Sequence, residues 1–229
     1  MKKTLLIFAS MLLLVAVTAP TVKAQEVDAG LDIYSSYVWR GIKFGEGAAF
    51  QPWVEFSAGG FAIGAWGSYC VSDNEAAEAD LYASYGFDLG ENASLSFTLT
   101  DYYFPGTTAD PVSWTDGDNH FFEPMVGLGV GAFSFSAAYM FYDGAGKDGD
   151  ASGDLYVEAA VTAGPVDITL GGGNGAYSMK DDAGFDICNI GISTSKEIKL
   201  SESFSLPLSG AVILNPSYES FHVVVGISL

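Results

Sequence analysis

The sequence predicts an all-β fold, a transmembrane antiparallel up-and-down β-barrel of about twelve strands. Three observations predict it. Segments of about ten residues, the length a tilted strand needs to cross a bilayer, alternate apolar and polar side chains. Their connections alternate as well: tight turns at Gly59-Gly60, Gly90-Glu91-Asn92, Gly131-Ala132 and Gly164-Pro165 trade places with longer, acid-rich loops. The last segment carries Phe221, Val223, Val225, Ile227 and Leu229 on one face. Hydrocarbon offers no hydrogen-bond partners, so an all-β span must close on itself.

The strands follow in order. Strand one, Val27 to Arg40, sends Ala29, Leu31, Ile33, Tyr37 and Trp39 one way and Asp28, Asp32, Tyr34 and Arg40 the other. Strand two, Ala49 to Ala58, sets Phe50, Val54 and Phe56 against Gln51, Trp53 and Glu55, and strand three is Phe61 to Tyr69. Strand four, Ala79 to Leu89, opposes Leu81, Ala83, Tyr85, Phe87 and Leu89 to Asp80, Tyr82, Ser84, Gly86 and Asp88. Strand five, Ala93 to Phe104, opposes Leu95, Phe97 and Leu99 to Ser and Thr. Six to nine are Phe121 to Val130, Phe133 to Tyr142, Asp154 to Ala163, and Val166 to about Gly175. Strand ten, Phe185 to about Lys196, slips parity between Ile187 and Ile190, which predicts a bulge near Cys188-Asn189. Eleven is Phe204 to Asn215 and twelve is Ser220 to Leu229. Every odd-to-even connection reads as a long loop. Five even-to-odd ones read as short turns, placed with both termini on the periplasmic side.

The N-terminus reads as a secretory signal over residues 1–24, with the barrel domain over 25–229. Lys2 and Lys3 form the charged region and Leu5 to Ala19 the apolar region, with a cut expected before Gln25. The apolar region is shorter than the roughly 20 residues of a spanning helix. The whole chain has 28 acidic against 9 basic residues and a formal charge of −19. Without Lys2, Lys3 and Lys23, six cations would face the same 28 acids, a charge of −22. Such a surface repels phosphate backbones and excludes nucleic acid as a partner. Aromatic residues at 14% and 28 glycines argue for packed β-structure over disorder.

The polar face is largely Ser, Thr, Gly and Ala with scattered acids. The apolar face carries Tyr37, Trp39, Phe61, Tyr69, Phe87, Phe122, Phe133, Phe141 and Phe204 near strand ends, a pattern of aromatic girdles at two membrane interfaces. A soluble barrel would carry charge outside and apolar side chains inside.

Catalytic constellations are sparse. His120 and His222 are the only histidines, and the topology places them on strands six and twelve, so no catalytic residues and no cofactor are expected. Gly171-Gly172-Gly173-Asn174-Gly175 lacks the Lys-Ser/Thr of a phosphate loop and reads as a place where other groups approach the wall closely. Cys70 and Cys188 fall on non-adjacent strands, which argues against a disulfide.

Acids cluster at the outer loops and strand tops: Asp73, Glu75, Glu78 and Asp80; Asp110, Asp116 and Asp118; Asp143, Asp148, Asp150 and Asp154; Asp181, Asp182 and Asp186. They read mainly as solvated loops. Asp143, Asp148, Asp150 and Asp154 are weak candidates for a divalent cation, since the EF-hand spacing and its closing Glu are missing. Arg40 is the only arginine and points inward by parity. So do Asp32, Gln51, Glu55, Asp80, Glu123 and Glu158, with Asp167. A charge inside the wall should be paired, or form a constriction that tunes ion preference. The reading is a narrow cation-preferring channel for small solutes or ions, set in a lipid bilayer among outer-membrane lipids. The alternative is a closed barrel whose acidic loops act in adhesion or surface structure.

Ser36-Tyr37-Val38-Trp39-Arg40-Gly41-Ile42, then Gln51-Pro52, Gly60-Phe61 and Gly64-Ala65-Trp66 resemble the TorF-type porin family of Gram-negative outer-membrane proteins. The resemblance covers about a fifth of the mature chain. It implies an outer-membrane barrel with a transport role and carries over Arg40, Gly41, Gln51 and Trp66 as family-typical, without catalytic residues. The chain departs from common outer-membrane barrels in ending on Leu229 in place of an aromatic residue.

Overall fold

The structure, a computed structural model, describes residues 25–72, 77–105, 120–143, 153–179, 184–202 and 204–229. The expected signal segment lies outside them. Fifteen strands are formed among the described residues. They are β1 (Glu26–Tyr34), β2 (Tyr37–Trp39), β3 (Ile42–Phe44), β4 (Ala49–Ala58), β5 (Phe61–Cys70), β6 (Ala77–Asp88), β7 (Ala93–Tyr103), β8 (His120–Val130), β9 (Phe133–Tyr139), β10 (Tyr142–Asp143), β11 (Leu155–Ala163), β12 (Val166–Gly173), β13 (Asp186–Lys199), β14 (Ser205–Asn215) and β15 (Ser220–Ser228).

All but β2 and β3 join one antiparallel sheet that closes on itself. β8 pairs with both β7 and β9, and β1 pairs with both β4 and β15. β10 continues the wall after β9 by pairing Tyr142 with Phe122 and Asp143 with Phe121. Among the described residues the barrel therefore has twelve wall strands, as the alternation predicts, and its sheet closes without an edge strand. The tight turns fall where the glycines place them.

The side chains sort by parity. Leu81, Phe97, Leu99, Val126, Leu128, Phe135, Ile168, Leu170, Val212, Val223 and Val225 are all exposed on the outer face. With Phe61, Tyr69, Phe87, Phe133, Phe141 and Phe204 they form one continuous apolar belt. Water does not favour so large an apolar surface, whereas a bilayer does. The inward face holds Ser84, Thr98, Ser209, Gln51, Asp32, Asp80, Glu123 and Glu158, all buried.

Strand ten bulges where its parity slips. Gly171 pairs with Asn189 and Gly172 with Ile187, which leaves Cys188 as the extra residue. Cys188 and Asn189 are both fully buried while Ile187 and Ile190 face out. Cys70 and Cys188 are not joined in a disulfide.

Two expectations are corrected. Strand one does not run to Arg40. It ends at Tyr34, bends at Ser35-Ser36, and residues 37–44 form a separate two-stranded hairpin. Fourteen residues exceed what one crossing needs, and the surplus folds inward. Tyr37 and Trp39 therefore leave the girdle: Tyr37 is 3% exposed and Trp39 packs against Phe44 and Tyr102. The last odd-to-even connection is also not a long loop, because β14 and β15 are joined by residues 216–219 alone.

Candidate functional site: an inward hairpin and its cage

The hairpin is built by its own sequence. Trp39 pairs with Ile42 across Arg40-Gly41, with φ of 50° at Arg40 and 82° at Gly41. Two positive φ values are the pattern of a type I′ turn, whose twist matches antiparallel strands. Gly41 suits it. Arg40 adopts a left-handed conformation at a cost of roughly 1–2 kcal/mol, so the contacts of its side chain must offset that strain.

Those contacts are with the opposite wall. The Arg40 guanidinium donates through Nη1 to Glu123 Oε2 at 2.6 Å and through Nη2 to Glu123 Oε1 at 2.7 Å. Nη1 also donates to the Tyr177 hydroxyl at 2.6 Å. Its carbon lies 4.3 Å from the Trp39 ring centre, 4.5 Å from Tyr156 and 5.6 Å from Tyr177. A two-toothed carboxylate pair with aromatic faces around it fits arginine and not lysine. Tyr102 donates its hydroxyl to Glu123 Oε1 at 3.0 Å. Tyr156 donates to Glu158 Oε2 at 2.6 Å, and the Asn189 amide donates to both the Tyr156 hydroxyl and Glu158.

The tip is seated as closely. The Asn215 amide donates to the Gly41 carbonyl at 3.1 Å. A Cβ on Gly41 would lie 1.9 Å from the Cys188 carbonyl oxygen, so the bulge and the glycine meet with no room for a methyl group. Trp39 and Ile42 pack on Tyr156, Tyr177 and Cys188. Tyr37 and Phe44 pack with Ala49, Cys70 and Trp66. Val38 enters an inward apolar patch of Tyr34, Ala211, Ile213 and Val224. The hairpin thus touches β5, β7, β8, β11, β13, β14 and β15, and crosses the lumen from wall to wall.

The other wall candidates sit as parity places them. Asp32 and Gln51 are partners across β1 and β4, and the Gln51 amide donates to Ser68 at 3.3 Å. Asp80 lies on β6 opposite Trp66 and Tyr102. Glu55 accepts from the Tyr82 hydroxyl at 2.8 Å and is less buried, away from the hairpin. Only Arg40 and Glu123 of the seven are joined directly. Glu158 is joined to them through the Tyr156 ring. Asp167, also inward, accepts from Thr162.

Of the loop acids, Asp148 and Asp150 lie outside the described residues, as do Asp73, Glu75, Asp110, Asp116, Asp118, Asp181 and Asp182. Asp143 ends β10. Asp154 is buried and accepts from the Ala176 amide at 2.8 Å, which holds the short 3-10 turn Gly175–Tyr177 that presents Tyr177 to Arg40. Glu78, read as a loop acid, is an inward wall residue and 5% exposed. The glycine run has the close approach expected of it: a Cβ on Gly171 would lie 2.1 Å from the Tyr156 hydroxyl. His120 pairs with Asp101 at 2.9 Å on the outer face of the wall, and His222 lies 3.2 Å from Ser220 on the inner face.

Tyr177, Asn189 and Asn215 were not singled out by the sequence. Asn189 sits at the predicted bulge, and an inward Ile213 and Val224 in an otherwise polar lumen are a sign that something packs there.

Among solved structures, the chain is similar to a crystal structure of an OccD1 (OprD) variant, at 13% identity, a TM-score of 0.40, and coverage of 90% of this chain and 65% of that one. It is also similar to OccAB3 of Acinetobacter baumannii, at 9% identity, a TM-score of 0.38, and coverage of 88% and 59%. The chain thus spans less than two thirds of the length of the solved structures it matches. No curated protein matches it. A family model described as "Bacterial protein of unknown function (Gcw_chp)" matches residues 18–204, most of the barrel with its hairpin and cage, and the chain belongs to that family.

Proposed function

We propose that the chain is exported by its N-terminal signal and forms an outer-membrane channel for small solutes, narrow and cation-preferring, with the Tyr37–Phe44 hairpin as its constriction. One observation carries this reading: a barrel with an apolar outside and a polar, acid-lined inside is crossed at one level by a segment whose arginine pairs with a carboxylate of the opposite wall. Asp32, Glu55, Glu78, Asp80, Glu123, Glu158 and Asp167 face the lumen with Arg40, and carboxylates lining a pore favour cations. The resemblance of residues 36–66 to TorF-type porins supports the transport role. The placement of His120 and His222 on opposite faces of the wall supports a role without catalysis.

A second reading is favoured by the docked hairpin itself. It touches the wall almost all the way round, as a permanently closed barrel would require, leaving the acidic loops to act at the cell surface. Planar-bilayer recordings of the purified chain decide between them. The channel reading expects conductance steps with cation preference, and a stronger cation preference in Arg40→Ala. Silence in the wild type and in Arg40→Ala would leave the closed barrel.

A further inference from the structure

Arg40 fills a site that the wall builds without it. Tyr102 from β7 donates to Glu123 from β8. Tyr156 from β11 is held by Glu158 and Asn189. Tyr177 stands on the 3-10 turn against Tyr156, ring centres 5.0 Å apart. None of these contacts uses the hairpin. What the hairpin adds is a planar cation, fitted by its fork to both oxygens of Glu123 and by its faces to the rings. With Arg40 docked, Glu123 is 2% exposed; once that cation leaves, its carboxylate keeps the Tyr102 hydroxyl as a donor and an unneutralised charge inside the wall, which another cation would relieve.

We propose that this cage is a binding site for guanidinium-bearing solutes, and that Arg40 is its tethered occupant, displaced when such a solute enters the lumen. The inference deepens the channel reading and rests on it for the solute's access to the cage. The chemistry is selective. Two parallel N–H donors matched to one carboxylate, and a flat face for Tyr156 and Tyr177, describe a guanidinium and not an ammonium. The exchange is neutral in charge, since one guanidinium replaces another. It is also exclusive: the solute and the docked hairpin tip cannot share Glu123. A tethered group acts at an effective concentration of millimolar or more, so displacement from the wild type needs a concentrated solute, while the site in Arg40→Ala should fill at far lower concentrations.

The test uses the full chain carrying Arg40→Ala, purified in detergent and titrated with methylguanidinium or ethylammonium chloride while its thermal unfolding is followed. Methylguanidinium should raise the midpoint saturably, ethylammonium should need at least about tenfold more for the same shift, and adding Glu123→Gln should abolish the difference. Equal responses to the two cations, or none, would overturn the proposal. Should Arg40→Ala fail to fold, the wild type supplies a second measurement. With Cys70→Ser added to leave one thiol, about 100 mM methylguanidinium should open Cys188, fully buried beneath the hairpin tip, to a maleimide, and ethylammonium should not. Unchanged labelling with both would sink the idea. Neither readout needs ion flow, so a barrel that binds methylguanidinium selectively yet never conducts would refute the channel and keep the site. A conducting barrel without that selectivity would do the reverse.

Discussion

Gly41→Ala tests the hairpin with a single methyl group. The added Cβ would lie 1.9 Å from the Cys188 carbonyl oxygen, where ordinary contacts begin near 3.4 Å. The tip must therefore withdraw by roughly 1.5 Å, the difference between those two distances. Its φ of 82° adds roughly 1–2 kcal/mol of backbone strain for any residue with a Cβ. A withdrawal of that size takes the 2.6 and 2.7 Å bonds from Arg40 to Glu123 beyond hydrogen-bond reach. Breaking a buried ion pair costs about 3–5 kcal/mol, and even about 3 kcal/mol shifts a docked-to-undocked ratio by roughly a hundredfold. Single-channel recording reads that ratio as open probability. Gly210→Ala is the control, since its Cβ would meet nothing closer than 3.9 Å. Gly41→Ala should be open for most of the record and Gly210→Ala should match the wild type. A Gly41→Ala barrel with wild-type conductance and unfolding midpoint would refute the claim that this contact seats the hairpin.

Glu123→Gln keeps the shape of the side chain but removes its charge, at about 1.5–3 kcal/mol for a hydrogen bond to a charged group. It should raise open probability while lowering cation preference, the opposite of the preference change in Arg40→Ala, and reversal potentials in a salt gradient will show the sign. Leu81→Arg puts a charge on the outer face, where Leu81 is exposed. Near the bilayer midplane that costs about 2–4 kcal/mol, so the folded fraction in urea titrations in lipid vesicles should fall, and Ser84→Arg on the inner face of the same strand should spare it. Cys70 is buried against Tyr37 and its Sγ lies 3.5 Å from the Phe44 carbonyl oxygen. In a Cys188→Ser background its maleimide labelling should be slow and should speed up when Gly41→Ala is added. Equal labelling rates would mean that the hairpin does not leave the wall.

The wall was legible because its signal is local. A side chain's face follows from its position in a two-residue repeat, so Leu81 and Tyr82, or Leu99 and Thr98, could be assigned to opposite sides from their neighbours alone. The bulge at Cys188 was legible for the same reason, since it breaks that repeat. The hairpin was not. Tyr37, Trp39 and Arg40 continue the alternation of β1, and alternation alone does not distinguish a strand that crosses a membrane from one that turns back into the lumen. The clues were an overlong segment, a glycine after Arg40 that suits the positive φ of a tight turn, and apolar Ile213 and Val224 facing an otherwise polar interior. The cage was half legible. Parity points Arg40, Glu123 and Glu158 inward, but bringing them together requires the closed geometry of strands far apart in sequence, and Tyr177 lies on a 3-10 turn that no periodicity marks.

The distances along the chain between the hairpin and its partners also order the way the molecule is made. Arg40 meets Glu123 across 83 residues and Tyr177 across 137, and Gly41 meets Asn215 across 174. Contacts of such span form late, because loop closure must be paid for before they reward it. The hairpin sits between the first two wall strands, yet its seat is complete only when β14 is in place. Docking of the tip is therefore a final event that reports a finished cylinder. A chain whose wall is misregistered anywhere from β7 to β14 would leave its only arginine without a seat.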